Sequence, residues 1–156
     1  MQSNGERFGY WTFTCNSVYL TKEQTLNWER RIRRRKDCYA AGLGLINKDP
    51  TILPSKLQTT KVELFGRVKC DEMYSGERWT TNIICGYNPP KSTCSGDSGG
   101  PLVCKTKQGT HVQIGLTSFG DCAGFDGYPR VYSNIGWILR QKKKSSLPLK
   151  TTTGQQ

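Results

Sequence analysis

The sequence predicts an all-β domain, either a small antiparallel barrel or a sandwich. Six short apolar segments lie between residues 38 and 135, and turn residues separate them at short intervals. The 17 glycines and 7 prolines are spread along the chain, which favours short strands and many turns over long helices. The 156 residues are enough for one domain, with or without tails.

The strand candidates all fall within residues 38–140, which we take as the domain. Residues 1–37 are polar, hold one strand-like stretch (SVYL), and form a divergent N-terminal segment of unknown fold. Residues 141–156 are basic and polar, so a disordered tail is expected. The six strand candidates, in chain order, are CYAAGLGLI, LQTTKVELF, TNIICGY, GPLVCK, HVQIGLTSFG and YPRVYSNI.

The last apolar stretch, IGWILRQKKK, predicts a short terminal helix. Trp137, Ile138 and Ile135 are expected to face inward, and the lysines follow at the C-terminal end, where cations favour the helix dipole. No window holds the roughly eighteen apolar residues of a membrane-spanning helix.

The charge is strongly positive, at +11, and it is clustered. Residues 30–36 (RRIRRRK) carry six cations in seven positions, and residues 142–144 add three lysines. Such runs bind polyanions such as heparin or an anionic membrane, and they also occur as solvated loops and helix ends. No RNA-binding signature accompanies them, so no specific nucleic-acid partner is expected.

The seven cysteines favour disulfides over a metal site. None lies in a C-x-x-C pair, which argues against zinc, and an even set leaves one cysteine over. Disulfides imply an oxidising compartment, although the opening MQSNGERFGYW lacks the pattern of a signal peptide.

One motif, CSGDSGGPLVC at residues 94–104, presents a serine in the way that a nucleophile is presented. Ser98 follows an aspartate and precedes two glycines. A serine hydroxyl attacks poorly at neutral pH unless a base removes its proton, and the chain has one histidine, His111, thirteen residues further on.

At GDSGGPL the sequence resembles the C-terminal half of a chymotrypsin-fold, trypsin-like serine peptidase. Four further segments in the same order support the resemblance over residues 38–138: CYAAGLG, the cysteine-bounded CDEMYSGERWTTNIIC, TSFGDC and YPRVYSNI. The resemblance implies a single six-stranded antiparallel β-barrel, the second half of a double barrel, with a short C-terminal helix.

The resemblance also implies roles for the residues of the motif. Ser98 is expected to be the nucleophile, and the N–H groups of Gly96 and Ser98 to form the oxyanion hole. Asp97 is expected to pair with a new N-terminal ammonium after an activation cleavage. The implied disulfides are Cys38–Cys104, Cys70–Cys85 and Cys94–Cys122, which leave Cys15 free or joined to another segment.

His111 is not expected to serve as the base. In the family, the catalytic histidine lies in an A-A-H-C segment of the first barrel, and a D-I-A-L segment supplies the aspartate that orients it. Neither segment occurs in these 156 residues. We therefore expect His111 to be a solvated turn residue and Ser98 to have no base in this chain.

By the same resemblance, the specificity pocket consists of Ser92, Ser118, Phe119, Gly120 and Arg130. Ser92 matches the pocket floor and lacks the negative charge that selects lysine or arginine. Arg130, in a register set by Pro129, matches a wall position, where it would favour acidic side chains or else turn into solvent.

The resemblance thus implies a secreted, serine endopeptidase-like protein that acts on peptide or protein substrates and needs neither cofactor nor metal. We expect this chain to be inactive by itself. The alternative is a non-catalytic homologue that binds a polyanion through its basic surface.

Overall fold

A computed structural model describes residues 37–46, 52–73, 82–105, 109 and 111–145, with side chains omitted at residue 67 and residues 142–145. The predicted N-terminal segment, apart from its last residue, and residues 146–156 of the predicted tail lie outside this part of the chain. Of the cysteines, Cys15 also lies outside it.

The described residues form one antiparallel sheet and two helices. The elements are β1 (Cys38–Gly42), β2 (Gln58–Phe65), α1 (Arg67–Met73), β3 (Ile83–Tyr87), β4 (Pro101–Lys105), β5 (His111–Leu116), β6 (Phe119–Gly120), β7 (Phe125–Pro129) and α2 (Val131–Ser145). The strand order is β5-β4-β1-β2-β3-β7-β6. The expectation of an all-β half with a C-terminal helix is confirmed.

The ends of the sheet approach each other, as a barrel requires. An antiparallel bridge joins Gly115 of β5 to Arg130, the residue after β7, so strands that are separated in the sheet order meet. The six longer strands surround a core of buried side chains from every one of them: Cys38, Ala40, Val62, Ile84, Leu102, Cys104, Val112, Ile114 and Tyr128.

Strand alternation accounts for the core. In β1 and β4 every second residue is buried, because successive side chains of a strand point to opposite faces of the sheet. Cys38 and Cys104 are partners in the β1–β4 register and are joined by a disulfide. Cys70–Cys85 ties α1 to β3, in a smaller cluster with Phe125.

The C-terminal part of the fold differs from the sequence prediction. YPRVYSNI is not one strand: β7 ends at Pro129, and α2 begins at Val131 and continues to Ser145. The helix is therefore longer than expected, and the first five residues of the predicted tail belong to it. The last strand, β7, is formed by FDGYP, which overlaps the sixth strand candidate only at its last two residues.

The inward orientation predicted for the helix is also incorrect. Trp137 is 58% exposed and Ile138 is 36% exposed, whereas Ile135 is partly buried. Among the described residues, the apolar face of α2 is thus largely exposed. Neither α1 nor α2, the helices of the described residues, is long and apolar enough to cross a membrane.

Candidate functional site

The loop that carries Ser98 is two tight turns in succession. Asp97 donates its backbone N–H to the Cys94 carbonyl at 3.0 Å, and Gly100 donates to the Asp97 carbonyl at 2.9 Å. Gly96 has a φ of 97°, a value that favours glycine. Ser98 is exposed at the top of this loop, so its hydroxyl is open to a ligand.

The Asp97 side chain is held by two backbone donors. Its Oδ1 accepts a hydrogen bond from the Gly44 N–H at 2.7 Å, and its Oδ2 accepts one from the Cys94 N–H at 2.9 Å. A Cβ on Gly44 would lie 2.6 Å from Asp97 Oδ1, so a larger residue would displace the carboxylate. The loop is thereby anchored to the segment after β1.

A pocket of about 170 Å³ opens beside Ser98. One wall is the serine loop, and the other is the chain from Thr117 to Gly120 with Cys122. The Cys94–Cys122 disulfide joins these two walls covalently. The structure thus brings four of the predicted site residues to one pocket: Ser98, Ser118, Phe119 and Gly120.

Ser92 lies at a different cavity. A space of about 500 Å³ is bounded by β1, the start of β2 and the segment before the serine loop, and Ser92 and Asp97 both line it. The Ser92 hydroxyl is buried and has no hydrogen-bond partner within the described residues. Thr93, the next residue, lines both cavities.

Arg130 is not among the residues that line the Ser98 pocket. Its backbone bridges Gly115 and donates an N–H to the Asn82 carbonyl at 2.7 Å. The residue paired with Gly120 is Asp126, four positions earlier. The expected register of Arg130 depended on Pro129, which is the last residue of β7.

Asp126, which the sequence reasoning did not single out, lies behind the pocket lining and contacts Thr93. It is 1% exposed, and its carboxylate accepts hydrogen bonds from the Thr93 N–H at 3.0 Å, the Thr93 hydroxyl at 2.5 Å and the Tyr128 hydroxyl at 3.1 Å. Burial raises the pKa of Asp126, and these hydrogen bonds act in the opposite direction. A lone acidic residue between apolar neighbours, in FDGY, was the available signal.

Asp121 organises the turn that follows β6. Its Oδ1 accepts the backbone N–H groups of Ala123, Gly124 and Phe125 at 2.7–3.0 Å. Burial raises the pKa of Asp121, but these donors outweigh it, so the pKa lies below its ordinary value.

His111 lies outside the Ser98 pocket. It is the first residue of β5, opposite Lys105 of β4, and it is partly buried rather than part of a solvated turn. Six positions separate it from Thr117, a distance of about 20 Å along an extended chain. Burial and then the positive charge of Lys105 lower the pKa of His111.

The three disulfides of the described residues are the pairs that the resemblance implied, Cys38–Cys104, Cys70–Cys85 and Cys94–Cys122. They link β1 to β4, α1 to β3, and the serine loop to the opposite pocket wall.

Comparison with known proteins gives the same assignment and extends it towards the N-terminus. The family model described as Trypsin matches residues 18–138, so the match begins twenty residues before Cys38. The chain is 34% identical over 124 residues to transmembrane protease serine 9 of Rattus norvegicus, which covers 76% of this chain and 12% of that protein. It is 37% identical over 111 residues to coagulation factor XI of Bos taurus, and this alignment covers 67% of this chain and 17% of that protein.

A third relative is serine protease 41 of Homo sapiens, at 34% identity over 124 residues, covering 72% of this chain and 39% of the relative. The chain therefore spans less than two fifths of the length of each of these proteins. The match over residues 18–138, together with the serine loop, the antiparallel sheet and the disulfides, shows that the chain belongs to the trypsin family.

Proposed function

We propose that this chain carries the nucleophile-bearing half of a serine endopeptidase. The observation that supports it most directly is the position of Ser98, exposed at the mouth of a pocket whose two walls are joined by Cys94–Cys122. Membership of the trypsin family makes peptide bonds the expected substrate.

In this proposal the hydroxyl of Ser98 attacks the scissile carbonyl carbon, and the carbonyl oxygen becomes an oxyanion. The N–H groups of Gly96 and Ser98 are the proposed donors to that oxyanion. The N–H groups of Asp97, Gly99 and Gly100 are used in hydrogen bonds to described carbonyls, so they are committed to the loop. Each donor to an oxyanion contributes about 3 kcal/mol in enzymes of this kind.

Asp97 is proposed to hold the serine loop in the conformation in which the N–H groups of Gly96 and Ser98 form the oxyanion hole. Its carboxylate lines the cavity of about 500 Å³ beneath the loop, where a cationic group such as a chain terminus has room to approach it. The bonds from Gly44 and Cys94 already orient both carboxylate oxygens.

The proton of Ser98 needs an acceptor, and we propose that these 156 residues do not provide one. His111 is about 20 Å along the chain from the pocket wall, beyond hydrogen-bond reach of Ser98. Loss of the histidine base alone lowers turnover on the order of a million-fold in a serine protease. We therefore propose that the chain is inactive alone and that a histidine-bearing first half completes the site.

A fluorophosphonate probe tests this proposal, because it reacts only with an activated serine. The chain alone should be labelled no faster than its Ser98→Ala variant. A chimera in which the histidine-bearing half of a relative precedes residue 18 should be labelled, and Ser98→Ala should abolish that labelling. Rapid labelling of the chain alone at Ser98, or an unlabelled but folded chimera, would contradict the proposal.

A second candidate function follows from the basic run of residues 30–36 and the net charge of +11. A non-catalytic homologue would bind a polyanion such as heparin through these cations. Retention on immobilised heparin that falls steeply with salt, and is lost when the run is replaced by glutamine, would favour it. Either function fits an oxidising, extracellular location, because three disulfides are formed.

A further inference from the structure

We propose that the C-terminal end of α2, residues 136–145, docks on an anionic lipid bilayer, with Trp137 and Ile138 inserted at the interface and the neighbouring cations against the headgroups. This inference goes beyond the proposed function, because it concerns α2 and does not depend on the reactivity of Ser98. It also concerns a different part of the chain from the basic run at residues 30–36.

Only the beginning of α2 is shielded by the rest of the fold. The helix contacts β5, and Tyr132 and Ile135 in its first turns are partly buried. Residues 136–140, which follow, are all exposed. The apolar residues among them are Trp137 at 58%, Ile138 at 36% and Leu139 at 43% exposure. The apolar side chains at this end of α2 are thus accessible to a partner.

The three exposed apolar residues are consecutive, which bears on the kind of surface that they fit. Successive residues of an α-helix are turned by about 100°, so Trp137 and Leu139 lie to either side of Ile138, over an arc of about 200°. A protein groove takes a narrower stripe of residues spaced three and four apart. A bilayer interface is fluid, so it can surround the wider arc.

The cations of α2 complement an anionic surface. The helix contains Arg140 and three lysines at 142–144, and it contains no acidic residue. Arg140 lies two positions after Ile138, on the opposite side of the helix, and a Cβ on Gly136 would lie 3.5 Å from Arg140 Nη1. The guanidinium thus lies on the polar side, away from Ile138. Cations beside exposed tryptophan and aliphatic residues are typical of helices that bind at the interface of anionic membranes.

The same charges disfavour a second copy of this chain as the partner. Two α2 helices packed together would bring their cations close to one another, and neither helix has a carboxylate to offset them. An anionic bilayer supplies the opposite charge, and each cation near such a surface strengthens binding about fivefold. Trp137 also suits the boundary, since its ring buries apolar area while its N–H can stay hydrated.

Co-sedimentation of the full 156-residue chain with lipid vesicles tests the proposal. The chain should bind vesicles of phosphatidylcholine that contain about one third phosphatidylserine at least about tenfold more tightly than vesicles of phosphatidylcholine alone, because the cations meet opposite charge only in the first. Binding of neither kind of vesicle, or equal binding of both, would overturn the proposal.

A double variant, Trp137→Ser with Ile138→Asn, removes the apolar groups while it keeps every charge and similar helix propensities. It should weaken binding to the anionic vesicles at least about tenfold, since the inserted side chains lose their apolar contact. Val68→Asn is the matched control: Val68 is 73% exposed on α1, the other helix, and its replacement should leave vesicle binding unchanged. Unchanged binding in the double variant, or an equal loss in the control, contradicts the proposal.

Replacement of Lys142, Lys143 and Lys144 by glutamine should also weaken binding to the anionic vesicles and bring the two kinds of vesicle closer together. Immobilised heparin separates a bilayer from a simple polyanion, because heparin has negative charge but no apolar interior. The double variant should therefore bind heparin as tightly as the wild type does. Equal losses of heparin and vesicle binding in that variant, or vesicle binding that needs residues 30–36 but not the three lysines, would refute docking through α2.

Circular dichroism checks that each variant is folded. Should the double variant fail to fold, the pair Trp137→Ser and Trp137→Phe decides: phenylalanine should retain most of the vesicle binding and serine should lose it, and equal binding by the two overturns the proposal. The proposed function is tested separately by labelling of Ser98. A labelled chimera with no vesicle binding by the chain refutes docking alone, and vesicle binding beside an unlabelled Ser98 refutes the nucleophile alone.

Discussion

The Gly44 N–H donates a hydrogen bond of 2.7 Å to the carboxylate of Asp97, although 53 positions separate the two residues in the chain. This bond connects the segment after the first strand to the residue immediately before Ser98. The placement of the serine loop therefore depends on a glycine far away in sequence.

Substitution of Gly44 by alanine should destabilise the chain by about 1–3 kcal/mol, because the new Cβ would lie 2.6 Å from Asp97 Oδ1 and displace a hydrogen-bonded carboxylate. Urea denaturation followed by circular dichroism gives the free energy of unfolding. Gly66→Ala is the matched control: a Cβ there meets nothing within 4 Å, so the change should stay within about 0.5 kcal/mol. Similar losses in both variants would contradict the proposed role of the Gly44 position.

Removal of the disulfides one at a time, as paired alanine variants, should cost stability in the order of the loops that they close. Cys38–Cys104 has a sequence separation of 66, against 28 for Cys94–Cys122 and 15 for Cys70–Cys85. The chain-entropy relation gives about 4 kcal/mol for the longest loop and about 3 kcal/mol for the shortest. Thermal or urea unfolding of the three variants checks this order; a largest loss for Cys70–Cys85 would contradict it.

Asp126 should make the stability of the chain fall as the pH rises above the ordinary carboxyl range. Its pKa is raised in the folded chain, chiefly by burial, so the folded state holds this proton more tightly than the unfolded state. The contribution is complete below the unfolded pKa of about 4 and is lost as the pH rises through the folded pKa. The difference in unfolding free energy between the wild type and Asp126→Asn should decrease over that interval and then level off.

Asp121 provides the control of opposite sign. Its pKa is lowered in the folded chain, where three backbone N–H donors outweigh burial. The stability that it contributes should therefore be present above its unfolded pKa and be lost as the pH falls through the lower, folded pKa. A wild-type-minus-Asn difference with the same pH trend at positions 121 and 126 would contradict these assignments.

Trp137 should contribute little to the stability of this chain despite its size, since it is 58% exposed on α2. Trp137→Ala should cost less than about 1 kcal/mol. Ile114→Ala, in the core at 6% exposure, should cost about 2–5 kcal/mol because it leaves a cavity. Urea denaturation of the two variants measures the contrast, and a larger loss at Trp137 would show that the apolar face of α2 is covered.

The sequence was sufficient to predict the general fold, because the signal for short strands is local. Alternating burial in β1 and β4 follows from the side-chain period of a strand, whereas the roles in the serine loop were predicted from the resemblance at GDSGGPL. The three disulfide pairs came from the resemblance rather than from spacing. The structure contains all three pairs, so the resemblance was enough to predict the disulfides of the described residues.

The register of β6 against β7, beside the pocket, could not be predicted from local sequence patterns. Pro129 and Val131 stand where a strand and a helix meet, and the β-branched and aromatic residues around them suit either element over so few positions. The pairing of Gly120 with Asp126 sets the register of β6 against β7, and that pairing depends on contacts between distant segments.

Synthesis on the ribosome proceeds from the N-terminus, and the position of β7 in the chain therefore fixes when the sheet can be completed. β7 pairs with β3 on one side and with β6 on the other, and its residues are made nearly thirty positions after Ser98. A nascent chain halted shortly after the serine motif has the proposed nucleophile but not the far wall of its pocket, residues 117–120 and Cys122. Premature stops between the motif and residue 117 should consequently abolish the pocket as completely as loss of the motif itself.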